Sequence, residues 1–262
     1  MLLLLKIDFM QKGICVLSNI PLRKEANNKG EIVSMILFGE TFSIITSTYE
    51  WTHIITDGED YEGWINWKQF ILITKNPSTF TTVTQYPFAI IQGPDGFIMA
   101  PCGSLLPDYA NGNSIINNQI YSVTAAQTQV VKNELAYFAK QYLNAPYFWG
   151  GKIPSGIDCS GFTQIMYRCM GILIKRDAYQ QAEMGQSVAF LEEATIGDLA
   201  FFDNEDGRIT HVGILLDTNS IIHASGKVRV DPIDSYGILN IGENTYSHKL
   251  RIIKRILPLI EH

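Results

Sequence analysis

The spacing of apolar residues changes character near Ala125, and this limits the chain to an all-β part followed by a mixed part. From about Gly13 to Ile73, short β-branched and aromatic runs are separated by Asn, Gly and Asp. They are Ile14-Cys15-Val16-Leu17, Ile32 to Leu37, Thr41 to Ile45, Trp51 to Ile55 and Gly63-Trp64-Ile65. A small barrel over 11–73 is the expectation. A weaker β segment follows over 74–124, where Gly93-Pro94-Asp95-Gly96 separates Ala89-Ile90-Ile91 from Phe97 to Ala100 and Asn111-Gly112 marks a further turn. A second small barrel is expected there. Beyond Ala125, Val130, Val131, Leu135, Phe138, Ala139 and Tyr142 keep helical spacing as far as Asn144-Ala145-Pro146. A second helix is predicted from Cys159 to Gly171, then strands at Asp198 to Phe202, Thr210 to Leu216 and Ile221 to Ala224. Helices followed by strands, without alternation, make 125–262 an α+β unit.

With 262 residues, one medium domain and one or two small ones are the natural division. The net charge of −6 comes without a Lys/Arg cluster, so no nucleic-acid partner is expected. Cys15, Cys102, Cys159 and Cys169 form no CxxC pair, which argues against a zinc ribbon or a disulfide framework and fits a reducing compartment. The opening Met1 to Met10 has an apolar run too short for an export signal, with no basic residues ahead of it. No stretch is long enough to span a membrane. A cytoplasmic monomer without metal or cofactor is the expectation, with a periplasmic or extracellular location as the alternative.

Chemistry concentrates at Asp158-Cys159-Ser160-Gly161-Phe162, His211 and His223. Cysteine reacts as thiolate, so a reactive Cys needs a basic partner and a setting that favours the anion. Cys159 falls in the first turn of the predicted helix, where free N–H groups and aligned peptide dipoles favour a thiolate and offer an oxyanion hole. Asp158 is a candidate cap. The midpoint of His211 and His223 is residue 217, inside Asp217-Thr218-Asn219-Ser220, so a hairpin turn there would make them cross-strand neighbours. His211 is assigned as base for Cys159 and His223 as the group that orients it. The alternatives for these residues are buried packing or metal ligation, the latter without a fourth ligand in view. Cys15, Cys102 and Cys169 are read as structural, and His53 and His248 as carrying no chemistry.

Five blocks in order, Tyr147-Phe148-Trp149-Gly150-Gly151, Asp158 to Phe162, Gly197 to Phe202, His211-Val212-Gly213-Ile214 and Ile222-His223-Ala224, resemble the NlpC-type cell-wall peptidases. The resemblance covers roughly 125–262 and implies a papain-like fold with Cys159, His211 and His223 as its triad. It implies cleavage of the γ-D-glutamyl bond to a diamino acid in murein stem peptides. Tyr147 resembles the tyrosine at the rim of such sites, and Asp158 and Ser160 resemble substrate-contacting neighbours of the nucleophile. Tyr147 as packing and Asp158 as a cap are the structural alternatives.

The order Leu22 to Glu25, Leu37-Phe38-Gly39-Glu40, Trp51 and Tyr61-Glu62-Gly63-Trp64-Ile65 resembles bacterial SH3-type domains. Together the parts resemble γ-D-glutamyl-L-diamino acid endopeptidases whose barrel closes one end of the cleft and reads a free N-terminal L-Ala. By position, Glu25 and Tyr61 would do that reading here, with a solvated turn as the alternative for Glu25. One departure is Ala178, after Lys175-Arg176-Asp177, where related enzymes commonly offer a hydroxyl. The leading expectation is release of L-Ala-γ-D-Glu during peptidoglycan recycling. Its rivals are an exported hydrolase of intact wall and a wall-binding module without catalysis.

Overall fold

Seven antiparallel strands make the first sheet: β1 (Lys12–Ile14), β2 (Asn19–Arg23), β3 (Ile32–Leu37), β4 (Thr41–Ser47), β5 (Trp51–Thr56), β6 (Glu62–Asn66) and β7 (Ile71–Leu72), ordered β3-β2-β6-β5-β4-β1-β7. The computed structural model describes residues 11–78, 82–127, 134–240 and 245–256. Alternating inward residues of this sheet, Ile20, Leu22, Ile36, Phe42, Ile54 and Ile65, form one apolar cluster. The all-β N-terminal region fits an SH3-like domain. Strand β2 was not foreseen, since Pro21 interrupts its apolar pattern.

The second β region contains β8 (Val83–Thr84), β9 (Phe88–Gly93), β10 (Gly96–Pro101), β11 (Asn113–Ile116), β12 (Gln119–Val123) and β13 (Ala126–Gln127). Four of them pair in the order β10-β9-β12-β11, and β13 pairs with β8. Asn111 and Gly112 both have positive φ and close the turn expected there. Ile14 and Phe38 of the first region cluster with Ile91, Ala100, Leu106, Ile116 and Tyr121, so a single apolar cluster crosses residue 74.

The C-terminal region holds α1 (Leu135–Gln141), β14 (Lys152–Ile153), β15 (Gly156–Ile157), α2 (Cys159–Cys169) and α3 (Ala178–Gln181), then β16 (Gln186–Val188), β17 (Leu199–Asp203), β18 (Ile209–Leu215), β19 (Ser220–Ser225), β20 (Lys227–Pro232), β21 (Gly237–Asn240) and β22 (Thr245–Arg255). Its main sheet runs β16-β22-β17-β18-β19-β20, with β21 on β22. This is the α+β architecture that the residue pattern predicts. Val130 and Val131 lie outside the described residues.

Every residue of α2 is buried. Phe162, Ile165 and Met166 pack on Leu199, Phe201, Val212 and Ile222 of the sheet and on Leu135, Ala139 and Tyr142 around α1. A second cluster, including Ala200, Phe202, Leu215, Ile221 and Ile253, draws on the residues that alternate with these, so both faces of the sheet are covered.

A buried group of four charges ties the first region to α2. Arg168 on α2 pairs with Glu40 and Glu59, and Lys152 Nζ lies 3.4 Å from each of those carboxylates. All four side chains are less than a tenth exposed. Two cations facing two anions leave no net charge to be buried, the condition under which such a group is tolerated.

Candidate active site

A cleft of about 650 Å³ opens between the first β region and the C-terminal region. Its walls include Glu31, His53, Tyr61 and Glu62 on one side and Tyr147, Trp149, Asp158, Cys159, Ser160 and Arg176 on the other. That volume suits a short peptide.

Cys159 is the first residue of α2, and Asp158 is its N-cap, accepting the Gly161 N–H at 2.6 Å. The Asp158 carboxylate also accepts the Gly150 N–H at 2.8 Å and the Arg176 guanidinium at 2.5 Å. Gly150 has φ +77, and a Cβ there would fall 2.3 Å from the Ile32 carbonyl, so this position needs glycine twice over. Arg176, fully buried beneath the cleft, also donates to Ser160 Oγ at 2.7 Å and to Ser34 Oγ at 3.0 Å. Asp158 therefore acts as a cap and charge partner as well as a wall of the cleft. Sequence reasoning passed over Arg176, whose neighbours Lys175 and Asp177 make the run look like a solvated turn.

Burial and the negative Asp158 push the Cys159 thiol up to about 12, against the opposing pull of the Val212 and Ser160 amides and of Arg176. The helix start thus fails to give a resting thiolate, because desolvation outweighs it. Tyr147 lies near enough to feel the Cys159 and Asp158 charges, and burial together with those charges raises its phenol well above the usual value.

His211 Nε2 and His223 Nδ1 are 2.7 Å apart, and His223 Nε2 is 2.8 Å from Asp231 Oδ2. The strand register pairs His223 with Gly213, so His211 and His223 are diagonal neighbours rather than opposite ones. The hairpin centre falls one residue beyond the predicted 217. Asp231, on β20, was missed, although Val228-Arg229-Val230-Asp231 alternates with the period of a strand. Arg229 also holds Asp231, with Nε at 2.6 Å. Burial would raise the Asp231 carboxyl, but bonds from His223 and Arg229 prevail and hold it below its usual range.

These bonds fix the tautomers. An ionised carboxylate only accepts, so His223 Nε2 carries a proton; with His223 Nδ1 as the acceptor of the second bond, His211 donates from Nε2. His211 is left with its lone pair at Nδ1, the atom a general base uses. Burial, then His223 and His248, push its pKa well below 6.5.

Among the described residues no hydrogen bond joins Cys159 to His211. The backbone of Val212, the residue next to His211, acts on the sulfur by lowering the thiol's pKa. Both imidazoles are buried, and neither lines the cleft. His248, read as inert, stacks on His211.

Tyr61 lines the cleft as expected and donates to Asp177 at 3.1 Å. Glu25 does not line it. Its carbonyl accepts the Asn27 N–H in an exposed turn between β2 and β3. Glu31, where the chain re-enters β3, does line the cleft, and its carboxylate accepts Trp149 Nε1–H at 2.8 Å and lies 3.6 Å from Lys24 Nζ. Ala178 is a wall residue with Tyr61, Ser160 and Thr210 hydroxyls on the same cleft.

A helix-borne cysteine, a buried imidazole relay and an α+β fold define a cysteine peptidase. The chain carries an NlpC/P60 domain: residues 144–245 match the model of the NlpC/P60 family. It is 28% identical over 254 residues to a gamma-D-glutamyl-L-lysine dipeptidyl-peptidase of Bacillus subtilis, covering 86% of this chain and 81% of that one. A Bacillus cereus protein of the same name is 25% identical, over 81% of this chain and 74% of its own. The crystal structure of an NlpC/P60 family protein from Bacillus cereus superposes with a TM-score of 0.78 at 19% identity, over 94% of this chain and all of that one, and so shares the fold.

Proposed function

We propose that this peptidase cleaves the γ-D-glutamyl bond to a diamino acid in free murein stem peptides, releasing L-Ala-γ-D-Glu. The observation that supports the reading is Glu31, a carboxylate in the wall of the same cleft as Cys159, with Lys24 Nζ 3.6 Å from its Oε2. A carboxylate in a partly enclosed cleft suits a peptide's N-terminal ammonium, and an acylated terminus loses that charge. In intact wall the stem peptide is acylated at this amine, so the reading favours released fragments, a recycling role and a cytoplasmic setting. The names of the two Bacillus relatives support the bond class.

In the reaction, Cys159 Sγ attacks the γ-carbonyl carbon while its proton passes to His211 Nδ1, and the carbonyl oxygen becomes an oxyanion. The Cys159 amide, at the first helical position and without a partner inside the helix, is the donor we assign to that oxyanion. His211 then gives its proton to the leaving amine as the C–N bond breaks. Water, deprotonated by His211, hydrolyses the thioester and restores the thiol. His223 and Asp231 stabilise the imidazolium that forms in each half. The reading requires Sγ and Nδ1 to meet when substrate is bound, a tightening many active sites make between free and bound states.

Mass-spectrometric product analysis of L-Ala-γ-D-Glu-diamino-acid tripeptide, free and N-acetylated, with wild type and Cys159→Ala, tests this reading. Release of L-Ala-γ-D-Glu from the free peptide alone, by wild type alone, is expected. Cleavage of both peptides would return the reading to an intact-wall hydrolase. Cleavage of neither would favour a binding module.

A further inference from the structure

A third imidazole stands against the relay. The ring of His248, on β22, lies on that of His211 with centroids 4.1 Å apart and planes 28° from parallel. It meets His223 edge-on at 5.7 Å, and Phe202 of β17 stands edge-on to it at 5.8 Å. His248 Nδ1 is 2.9 Å from Ser247 Oγ. The residue is half-buried.

The bond from His211 Nε2 to His223 fixes one atom of the buried His211 ring, and the plane of the ring depends on what packs against its faces. A flat neighbour on one face removes this freedom, since tilting the ring would lose the stacking contact. Phe202, tilted 44° against His211 at 5.8 Å, completes the enclosure. We propose that His248 is a positioning residue for the hydrolysis, holding the His211 ring in the plane that aims Nδ1 at Cys159. The inference rests on the assignment of His211 as base.

The same stacking makes His248 sensitive to charge. The groups that face it are His211 on β18, His223 on β19 and Asp231 on β20, the last held by Arg229. Burial, then His223, lower its pKa to about 4, with Asp231 opposing. Above that pH the plate is neutral and leaves His211 free to take the thiol proton. Below it, a cation 4.1 Å from His211 opposes imidazolium formation and slows the step.

The test measures kcat, KM and their pH dependence on the free tripeptide for His248→Ala, His248→Phe and, in parallel, His211→Ala. Removing the plate is expected to lower kcat roughly tenfold or more with KM unchanged, the signature of lost alignment. Phe restores the plate without a titrating nitrogen, so kcat returns and the acid limb of kcat moves to lower pH. Wild-type kcat in His248→Ala, or a folded His248→Phe with no recovery, would overturn the proposal. Should His248→Ala fail to fold, an unmoved acid limb in His248→Phe would do the same. His211→Ala retaining turnover would sink the base assignment itself, an outcome distinct from the failure of His248 alone.

Discussion

Gly213 stands directly opposite His223 in the β18–β19 register, and a Cβ on it would lie 2.9 Å from His223 Cβ and 2.7 Å from Ile221 Cδ1. The missing side chain is what lets His223 lean diagonally along the hairpin to His211. Gly213→Ala is therefore expected to separate the two rings and cut kcat by roughly 100-fold, the usual effect of about 1 Å of misplacement. KM should change little, because neither imidazole lines the cleft. Steady-state kinetics on the free tripeptide, with circular dichroism to confirm folding, checks it.

Glu31→Gln removes the charge proposed to receive the substrate's ammonium. A loss of about 2 kcal/mol, or roughly 30-fold in kcat/KM, is expected for the free peptide. Glu25→Gln, in its exposed turn, should match wild type. Equal effects of the two substitutions would remove Glu31 from the substrate-binding surface.

The resting pair is neutral: the thiol is raised to about 12 and the His211 imidazole lowered well below 6.5. Alkylation of Cys159 by iodoacetamide should consequently be slow at pH 6 and rise about tenfold per pH unit toward pH 9, following the thiolate fraction. A plateau between pH 5 and 7 would mean a preformed thiolate–imidazolium pair. The same shifts act on stability. Below pH 6.5 the unfolded chain binds protons at His211 and His248 that the folded chain refuses, so stability falls as pH drops from 6.5 toward 4. Thermal melts across that window, for wild type and His248→Phe, should show a shallower decline in the variant.

Arg168→Met leaves Glu40 and Glu59 buried with only Lys152 to face them. Breaking a buried pair in this way costs about 3–5 kcal/mol, which lowers the melting midpoint by about 10 °C in a chain of this size. Differential scanning fluorimetry at pH 7 measures it. A change under about 2 °C would show that the network contributes little.

The α+β class, α2 from its first residue, and strands β3, β17, β18 and β19 were legible because their apolar runs are long and unbroken. Cys159, His211 and His223 stand out in the sequence because each sits in a short local motif. What escaped was of two kinds. Strands β2 and β22 carry Pro21 and Lys249 within them, and these residues mask the apolar alternation. Glu31 meets Trp149 across 118 residues of sequence, and Arg176 reaches back to Ser34 across 142. No local pattern encodes such contacts. Asp231 lay between these cases, since its strand was visible in Val228 and Val230 but its bond to His223 required the sheet order.

The four-charge cluster beneath α2 carries a consequence for how this chain can be divided. Arg168 sits nine residues along the helix that begins with Cys159, and its counter-ions belong to the N-terminal β region. Cut away, the C-terminal region would present Arg168 and Lys152 as two cations on a surface shaped for carboxylates, with the cleft wall of Glu31 and Tyr61 gone as well. The cysteine-bearing region and the β region are in this sense complements, each supplying the charges that the other buries.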